Sequence, residues 1–227
     1  SRGLGDVYKR QGVSGLIDWV YETGRPLTSE YCYKNSSIVT PTNEVSRDVN
    51  DLMFEKHSGH VSHFYSIDSI LDDGCHEEYS TEFLNSLDTS GLPPHHLKLK
   101  VGVLLMVLRN YAPHIGMCNG TRVMLRVIAK RTLTVALMTG ARTGEEVTIP
   151  RICCDSSGDS DLPFAFRRYQ FPVRLAWCMT INKSQGQTFG ERIGIYLPRP
   201  IFAHGQLYVA MSRATQADNV RILLCSD

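Results

Sequence analysis

No run of about 18 apolar residues occurs in this 227-residue sequence, so no membrane-spanning helix is expected. No signal-peptide pattern opens it either. The cysteines number seven, none are paired at Cys-x-x-Cys spacing, and Cys153 and Cys154 are adjacent. That pattern argues against a disulfide framework or a zinc knuckle and favours a reduced, intracellular setting. Tryptophan is confined to Trp19 and Trp177. The sequence also lacks a Gly-x-x-x-x-Gly-Lys-Ser/Thr loop. Gly140–Gly144 (GARTG) has the glycines without the lysine–hydroxyl ending that cradles β- and γ-phosphates. No Asp-Glu pair follows a hydrophobic strand to hold Mg²⁺. Alone, the chain is therefore expected neither to bind ATP tightly nor to hydrolyse it, and no resident metal site is expected.

What is present is a core and a segregated charge. Apolar residues make up 42% of the chain, and its length suits one domain with a small inserted module. The formal charge of +1 hides two blocks. Residues 68–88 hold acids and no Lys or Arg; residues 98–131 hold Lys98, Lys100, Arg109, Arg122, Arg126, Lys130 and Arg131 and no acid. A one-sign segment can steer a polyanion even when the whole is near neutral. Ser1–Gln11 has little periodicity, and Asp6–Gln11 (DVYKRQ) reads as a translated adapter. It is set aside as a scar, and the chain is expected to be a fragment.

The pattern along the chain alternates between strand and helix signals. Ser37–Thr40 (SIVT) reads as a core strand ended by Pro41. Thr42 or Asn43 can cap a helix whose apolar face is Val45, Val49, Leu52 and Met53. Periodicity then fades to an irregular connection, with one short helix near Tyr79–Leu87 and a solvated acidic stretch. Apolar runs at 101–108, 121–128, 132–137 and 147–149 are broken by turn signals such as Asn119-Gly120 and suggest a small barrel. A polar loop at 155–162 follows. Phe171–Met179 then reads as a central strand, with further strands at 193–197 and 220–224. This order predicts an α/β fold, a parallel domain interrupted by a β module and then resumed. The divisions are a link at 12–30, the first part of the domain with its connector at 31–95, the barrel at 96–170 and the remainder at 171–227.

Two segments carry the chemistry. Thr180–Thr188 (TINKSQGQT) is expected to turn a buried strand into a helix. Gly186 allows close backbone approach, and Lys183, Thr180, Asn182 and Ser184 offer charge and hydrogen bonds. Such a mixture holds a phosphate backbone without reading bases. A capped turn with ordinary polar groups has equal weight on local grounds. Gly205–Arg213 (GQLYVAMSR) pairs Leu207 with Met211 and Tyr208 with Ser212 on helical faces, leaving Arg213 placed to reach a γ-phosphate. Alone, it would more often be a solvated arginine at a helix end. His57, His60 and His63 read as surface histidines and Cys178 as strand packing.

Together these segments resemble the PIF-family DNA helicases of superfamily 1, and most nearly the group found in Helitron-type mobile elements. Ordered matches at Thr40–Asn43 (TPTN), Glu82–Leu87 (EFLNSL), Gly91–Pro94 (GLPP), Leu97–Gly102 (LKLKVG), Leu108–Asn110 (LRN) and Cys118–Arg122 (CNGTR) support it. Phe171–Leu175 (FPVRL) and Tyr196–Pro200 (YLPRP) extend it. The resemblance implies a RecA-like second motor domain interrupted by an SH3-like barrel whose basic strands line a DNA channel. It implies single-stranded DNA contacts by Thr40, Thr42, Asn43, Thr180, Asn182, Lys183 and Ser184. Many relatives have histidine where Asn182 stands. Gly186, Gln187 and Tyr208 would lie by an ATP cleft, with Arg213 as the catalytic arginine finger. ATP and Mg²⁺ would be cofactors of the full-length enzyme, held by an upstream first motor domain. Partners would be single-stranded DNA or duplex–single-strand junctions, travel 5′-to-3′, and the setting nucleus or mitochondrion. The competing readings are a non-catalytic nucleic-acid-binding module from a decayed mobile element and a small-barrel peptide adaptor. The adaptor needs an aromatic groove, for which the barrel region offers Tyr111 and no tryptophan.

Overall fold

The structure, a computed structural model, describes residues 3–21, 30–71, 79–89, 91–156, 164–198 and 205–224, with the backbone alone at 3–11 and 30–32. In chain order, α1 (Gly3–Tyr21) and α2 (Glu30–Asn35) precede β1 (Ser37–Thr40) and α3 (Asn43–Lys56). Then come β2 (Ser62–Tyr65), β3 (Ile67–Ile70), α4 (Thr81–Ser86), β4 (His96–Leu99) and β5 (Leu104–Val107). β6 (Arg122–Ile128), β7 (Thr132–Leu137), β8 (Glu146–Pro150), β9 (Ile152–Asp155), β10 (Phe166–Gln170) and β11 (Val173–Leu175) continue the β-rich run. β12 (Cys178–Thr180), β13 (Ile193–Leu197), α5 (Gln206–Met211) and β14 (Val220–Leu224) follow. The elements form two units, Ser1–His57 with Ala176–Asp227, and Ser58–Leu175.

In the first unit β1 (SIVT) and β13 (IGIYL) are buried along their whole length, as strands covered on both faces are. They lie in an all-parallel sheet of order β12-β1-β13-β14. After Pro41, Thr42 adopts extended geometry and its side chain accepts from the Val45 amide, starting α3. α3 buries Val49, Met53 and Phe54, each worth about 1.5–3 kcal/mol. Its Asn50 accepts from the Cys178 amide at 2.9 Å and donates to the Cys178 carbonyl at 2.8 Å, standing in for a further strand beside β12. From α1, Leu16, Ile17, Val20 and Tyr21 are buried. A Cβ at Gly194 of β13 would lie 2.9 Å from Val20 Cγ2 and 3.1 Å from Leu16 Cγ, so the close approach requires glycine. Residues 12–21, expected as a remnant of or link from a preceding domain, thus supply core to this unit.

The expected single strand Phe171–Met179 is two strands. β11 pairs antiparallel with β5, whereas β12 pairs parallel with β1. A continuous apolar run does not show which ladder each half joins, and Pro172 has no amide to donate to one.

The second unit holds a five-stranded antiparallel sheet of order β11-β5-β6-β7-β8, a three-stranded sheet β3-β10-β9 and a ribbon β2-β4. β5 to β8 follow the expected apolar runs, and Gly120 turns at φ +90 between β5 and β6. The stretch from His57 to Pro94, expected as an irregular connection with one short helix near Tyr79–Leu87, holds that helix as α4 and in addition β2 and β3, and from Ser58 onward it folds with this unit. Leu84, Leu92, Cys154, Phe164 and Phe166 make a core cluster there.

Asp68, read with the solvated acids, is wholly buried against Arg168 at 2.7 Å. The Arg168 guanidinium also donates to the carbonyls of Leu84 (2.9 Å), Leu87 (3.1 Å) and Pro93 (3.1 Å), and Ser66 donates to Asp68 at 2.7 Å. The buried charges are thereby paired and hydrogen-bonded, the condition under which a buried ion pair is tolerated. Asp72, Asp73, Glu77 and Glu78, residues 157–162 of the polar loop, and Arg199-Pro200 lie outside the described residues.

Candidate nucleic-acid and phosphate-facing site

The site begins with two parallel strands. β1 and β12 are paired with Thr40 opposite Thr180, so the loops that follow them leave the same carboxyl edge of the sheet. Crevices at that edge are where open α/β sheets bind ligands. The Thr40 carbonyl accepts from the Ile181 amide at 2.9 Å, tying the second loop to the end of the first strand. Thr42 and Asn43, at the start of α3, are exposed.

After Thr180 the chain makes a three-residue 3-10 turn, Asn182–Ser184, rather than entering the expected α-helix. The amides of Ser184, Gln185 and Gln187 donate to carbonyls within the loop, and the Lys183 amide to the Thr180 hydroxyl at 3.4 Å. These amides are therefore occupied within the loop and leave no fan of free helix-start donors there. Asn182 is exposed; Lys183 is half-buried, with its Nζ turned away from solvent. Two residues expected to touch a strand do not reach the surface. Ser184 is fully buried and donates to the Ile181 carbonyl at 2.7 Å, holding the turn. Thr40 is also fully buried, at the end of β1. Thr180 retains a small exposed fraction.

Gly186 sits at φ +79, and a Cβ there would meet no atom within 4 Å, so the backbone conformation, not crowding, asks for glycine. The Gln187 carbonyl then accepts from Arg213 Nη1 at 3.4 Å. The Phe189 amide donates to the Arg213 carbonyl at 2.9 Å, and Phe189 forms a parallel bridge with Ala214. The two chemistry-bearing segments, separate in sequence, are thus stitched together.

Arg213 is half-buried and folds back on its own helix. Nε donates to the Val209 carbonyl at 3.2 Å and Nη2 to the Ser212 hydroxyl at 2.9 Å. All its acceptors are neutral, and no carboxylate pairs with it among the described residues. Its positive charge is held in place by these acceptors and not neutralised by any carboxylate among the described residues. Tyr208 is 76% exposed, Leu207 and Met211 are exposed, and Ala210 is the one buried residue of α5. The Leu207–Met211 face is therefore uncovered among the described residues.

Other candidates resolve simply. His57 is buried at the end of α3 against Trp177, correcting the surface assignment, while His60 and His63 are exposed. Among the described residues no group of three or more His, Cys, Asp or Glu is placed to hold a metal. Full burial pushes the Cys178 thiol up to about 12, which suits packing and not nucleophilic chemistry. Of the basic residues at 98–131, Lys100 and Arg122 are buried, so those two cannot line a surface channel. Sequence reasoning missed the buried Asp68–Arg168 pair and the ring-bearing outer face of β2 and β4. A short alternation, buried Phe64 between exposed His63 and Tyr65, was the available signal.

A family model described as the DNA helicase Pif1, 2B domain, matches residues 82–128. The human ATP-dependent DNA helicase PIF1 is 30% identical over 177 residues, covering 77% of this chain and 25% of that protein. The crystal structure of the Pif1 helicase from Candida albicans aligns with TM-score 0.62 and 25% identity, over 82% of this chain and 44% of that one. Bacteroides Pif1 bound to ssDNA aligns with TM-score 0.61 and 22% identity, over 82% and 40%. The chain spans about a quarter of the human relative. It is homologous over a partial stretch to the superfamily-1 Pif1 DNA helicases, with an α/β fold related to their motor domains.

Proposed function

We propose that this Pif1-related chain is the second RecA-like motor domain, carrying an inserted SH3-like barrel, of an ATP-dependent DNA helicase of the Helitron-like group. The stitched loops support the reading most directly: one segment suited to a phosphate backbone is hydrogen-bonded to an arginine that no carboxylate among the described residues neutralises. Thr42, Asn43 and Asn182 grip the backbone of single-stranded DNA, with the exposed fraction of Thr180 beside them, and Lys183 joins them by turning its shielded Nζ outward. Buried Thr40 and Ser184 set the shape of the two loops. Gly186 and Gln187 border the nucleotide cleft, and Tyr208 flanks Arg213.

The chain's residues fit one part of an ATP site and not the rest. Arg213 suits a terminal phosphate, but no lysine–hydroxyl loop is present for the others. ATP with Mg²⁺, held by an upstream first motor domain, supplies the free energy. On closure Arg213 leaves its neutral acceptors and neutralises charge at the γ-phosphate. Because Gln187 links Arg213 to the Lys183 loop, that movement shifts the strand grip, and reopening resets it one step along. Uncovered Leu207, Tyr208 and Met211 suit contact with the companion lobe. The whole enzyme would act on single strands and duplex junctions, travelling 5′-to-3′ in DNA repair, recombination, telomere maintenance or mobile-element replication. It would work in the nucleus, or else in the mitochondrion, while this chain alone is inactive as an ATPase.

The test is the affinity of the chain for an oligodeoxythymidylate measured against salt. Lys183→Ala is expected to reduce the slope of log affinity against log salt by about one unit. Equal slopes would remove Lys183 from the contact set.

A further inference from the structure

Alternate side chains of β2 and β4 build a ring-rich outer face on the second unit. His63 and Tyr65 are exposed with Phe64 buried between them. Lys98 is exposed and His96 half-buried, while Leu97 and Leu99 are buried. The antiparallel register sets Tyr65 across from His96 and His63 across from Lys98. Tyr65 and His96 stack with centroids 4.6 Å apart and planes 11° apart. His96 and His63 lie edge to edge, with centroids 5.2 Å and planes 23° apart, joined by a 2.9 Å hydrogen bond between Nε2 and Nδ1. Tyr65 is thus stacked on one of two hydrogen-bonded imidazoles. The His95 ring is tilted against Tyr65 at 5.8 Å, and Tyr65 is still 56% exposed, so ring surface remains open.

Hydrogen bonds pin the ribbon beneath these rings. Gln170 Nε2 donates to the carbonyls of Phe64 and His95, both at 3.1 Å, clamping the two strands. Arg151 donates to the Tyr65 carbonyl at 3.1 Å, and Ser66 contacts His95 Nδ1 at 2.8 Å. Beyond Tyr65 the exposed row continues through Ile67 and its register partner Tyr169. Charge fits a polyanion: Lys98 faces out, and Asp68, the acid of this stretch, is turned inward to Arg168. Outward residues on a strand recur about every 6.7 Å, a spacing that suits an extended strand with splayed bases.

A π face beside a lysine on a preorganised ribbon is the combination that holds single strands without reading their sequence. We propose that Tyr65, backed by the hydrogen-bonded His96 and His63, forms with Lys98 a stacking platform for single-stranded nucleic acid. A base stacks on the open ring surface of Tyr65 while Lys98 meets a backbone phosphate. This rests on the nucleic-acid reading above but adds a site formed by none of the residues assigned to it there.

The experiment measures fluorescence anisotropy of the full chain with a labelled oligodeoxythymidylate and with an abasic phosphodiester of equal length. Tyr65→Ala is expected to weaken oligodeoxythymidylate binding about 5- to 150-fold and to leave abasic binding unchanged. Tyr65→Phe keeps full affinity, which separates lost stacking from misfolding, and Lys98→Ala weakens both probes. Undiminished binding by Tyr65→Ala, or equal loss on both probes, would overturn the platform. If Lys183→Ala still lowers the salt slope in that case, the motor reading survives. No binding by the unaltered chain would overturn both.

Discussion

Replacing Asp68 by asparagine keeps the shape of the side chain and removes its charge, leaving the Arg168 guanidinium buried against neutral oxygens. Arg168 and Asp68 are exposed by 1% and 0%, so water cannot take the place of the lost carboxylate. Breaking such a pair costs about 3–5 kcal/mol, a large share of the roughly 5–15 kcal/mol that holds a typical domain folded. With a urea slope near 1.5 kcal/mol per molar, the midpoint should fall by roughly 2–3 M. The double substitution Asp68→Leu with Arg168→Met removes both charges and should recover part of this. It cannot recover all, because the Leu87 and Pro93 carbonyls lose the donor they now share, a penalty on the order of 2 kcal/mol. The assay must see the second unit. Trp19 and Trp177 both lie in the first, so tryptophan fluorescence serves as the internal reference. Far-UV circular dichroism and amide exchange of β3 and β10 report the affected region. An unchanged midpoint for Asp68→Asn would refute the view that this pair anchors the second unit.

Asn50→Ala removes the acceptor of the Cys178 amide and one of two donors to its carbonyl, which keeps the Ser46 hydroxyl, and should destabilise the first unit by about 1–3 kcal/mol, read from tryptophan-detected unfolding; no change would mean β12 does not depend on that clamp. Acid should weaken the ribbon of β2 and β4. Burial, then the charges of Lys98, His63 and His95, holds the His96 imidazole below its ordinary range. The unfolded chain therefore binds that proton first. The stability from neutral His96 is complete above about pH 6.5 and is lost as pH falls from there toward the depressed folded value. Exchange protection in the ribbon should drop over that window, and His96→Gln should flatten the drop; an equal drop in the variant would contradict it.

The parallel sheet was legible because its strands are short, β-branched and buried on both faces: SIVT and IGIYL have few other uses. The start of α3 was legible from Thr42 and the spacing of Val49 and Met53. What escaped was long-range. Arg168 and Asp68 lie a hundred residues apart, and no local pattern shows that each neutralises the other. The run at 171–179 reads as one strand because apolar character does not show which partner each half will choose. In TINKSQGQT, residue types showed a polar turn but not which hydroxyls the turn itself consumes. Ser184 is one such case, being spent on Ile181.

In the proposed motor, Arg213 supplies positive charge to a phosphate presented by another domain. Joined to an upstream domain bearing a phosphate loop, Arg213→Ala should lower DNA-stimulated ATP turnover by about 10³–10⁵ while leaving DNA affinity close to that of the unaltered protein. Turnover that survives the substitution unchanged would contradict it.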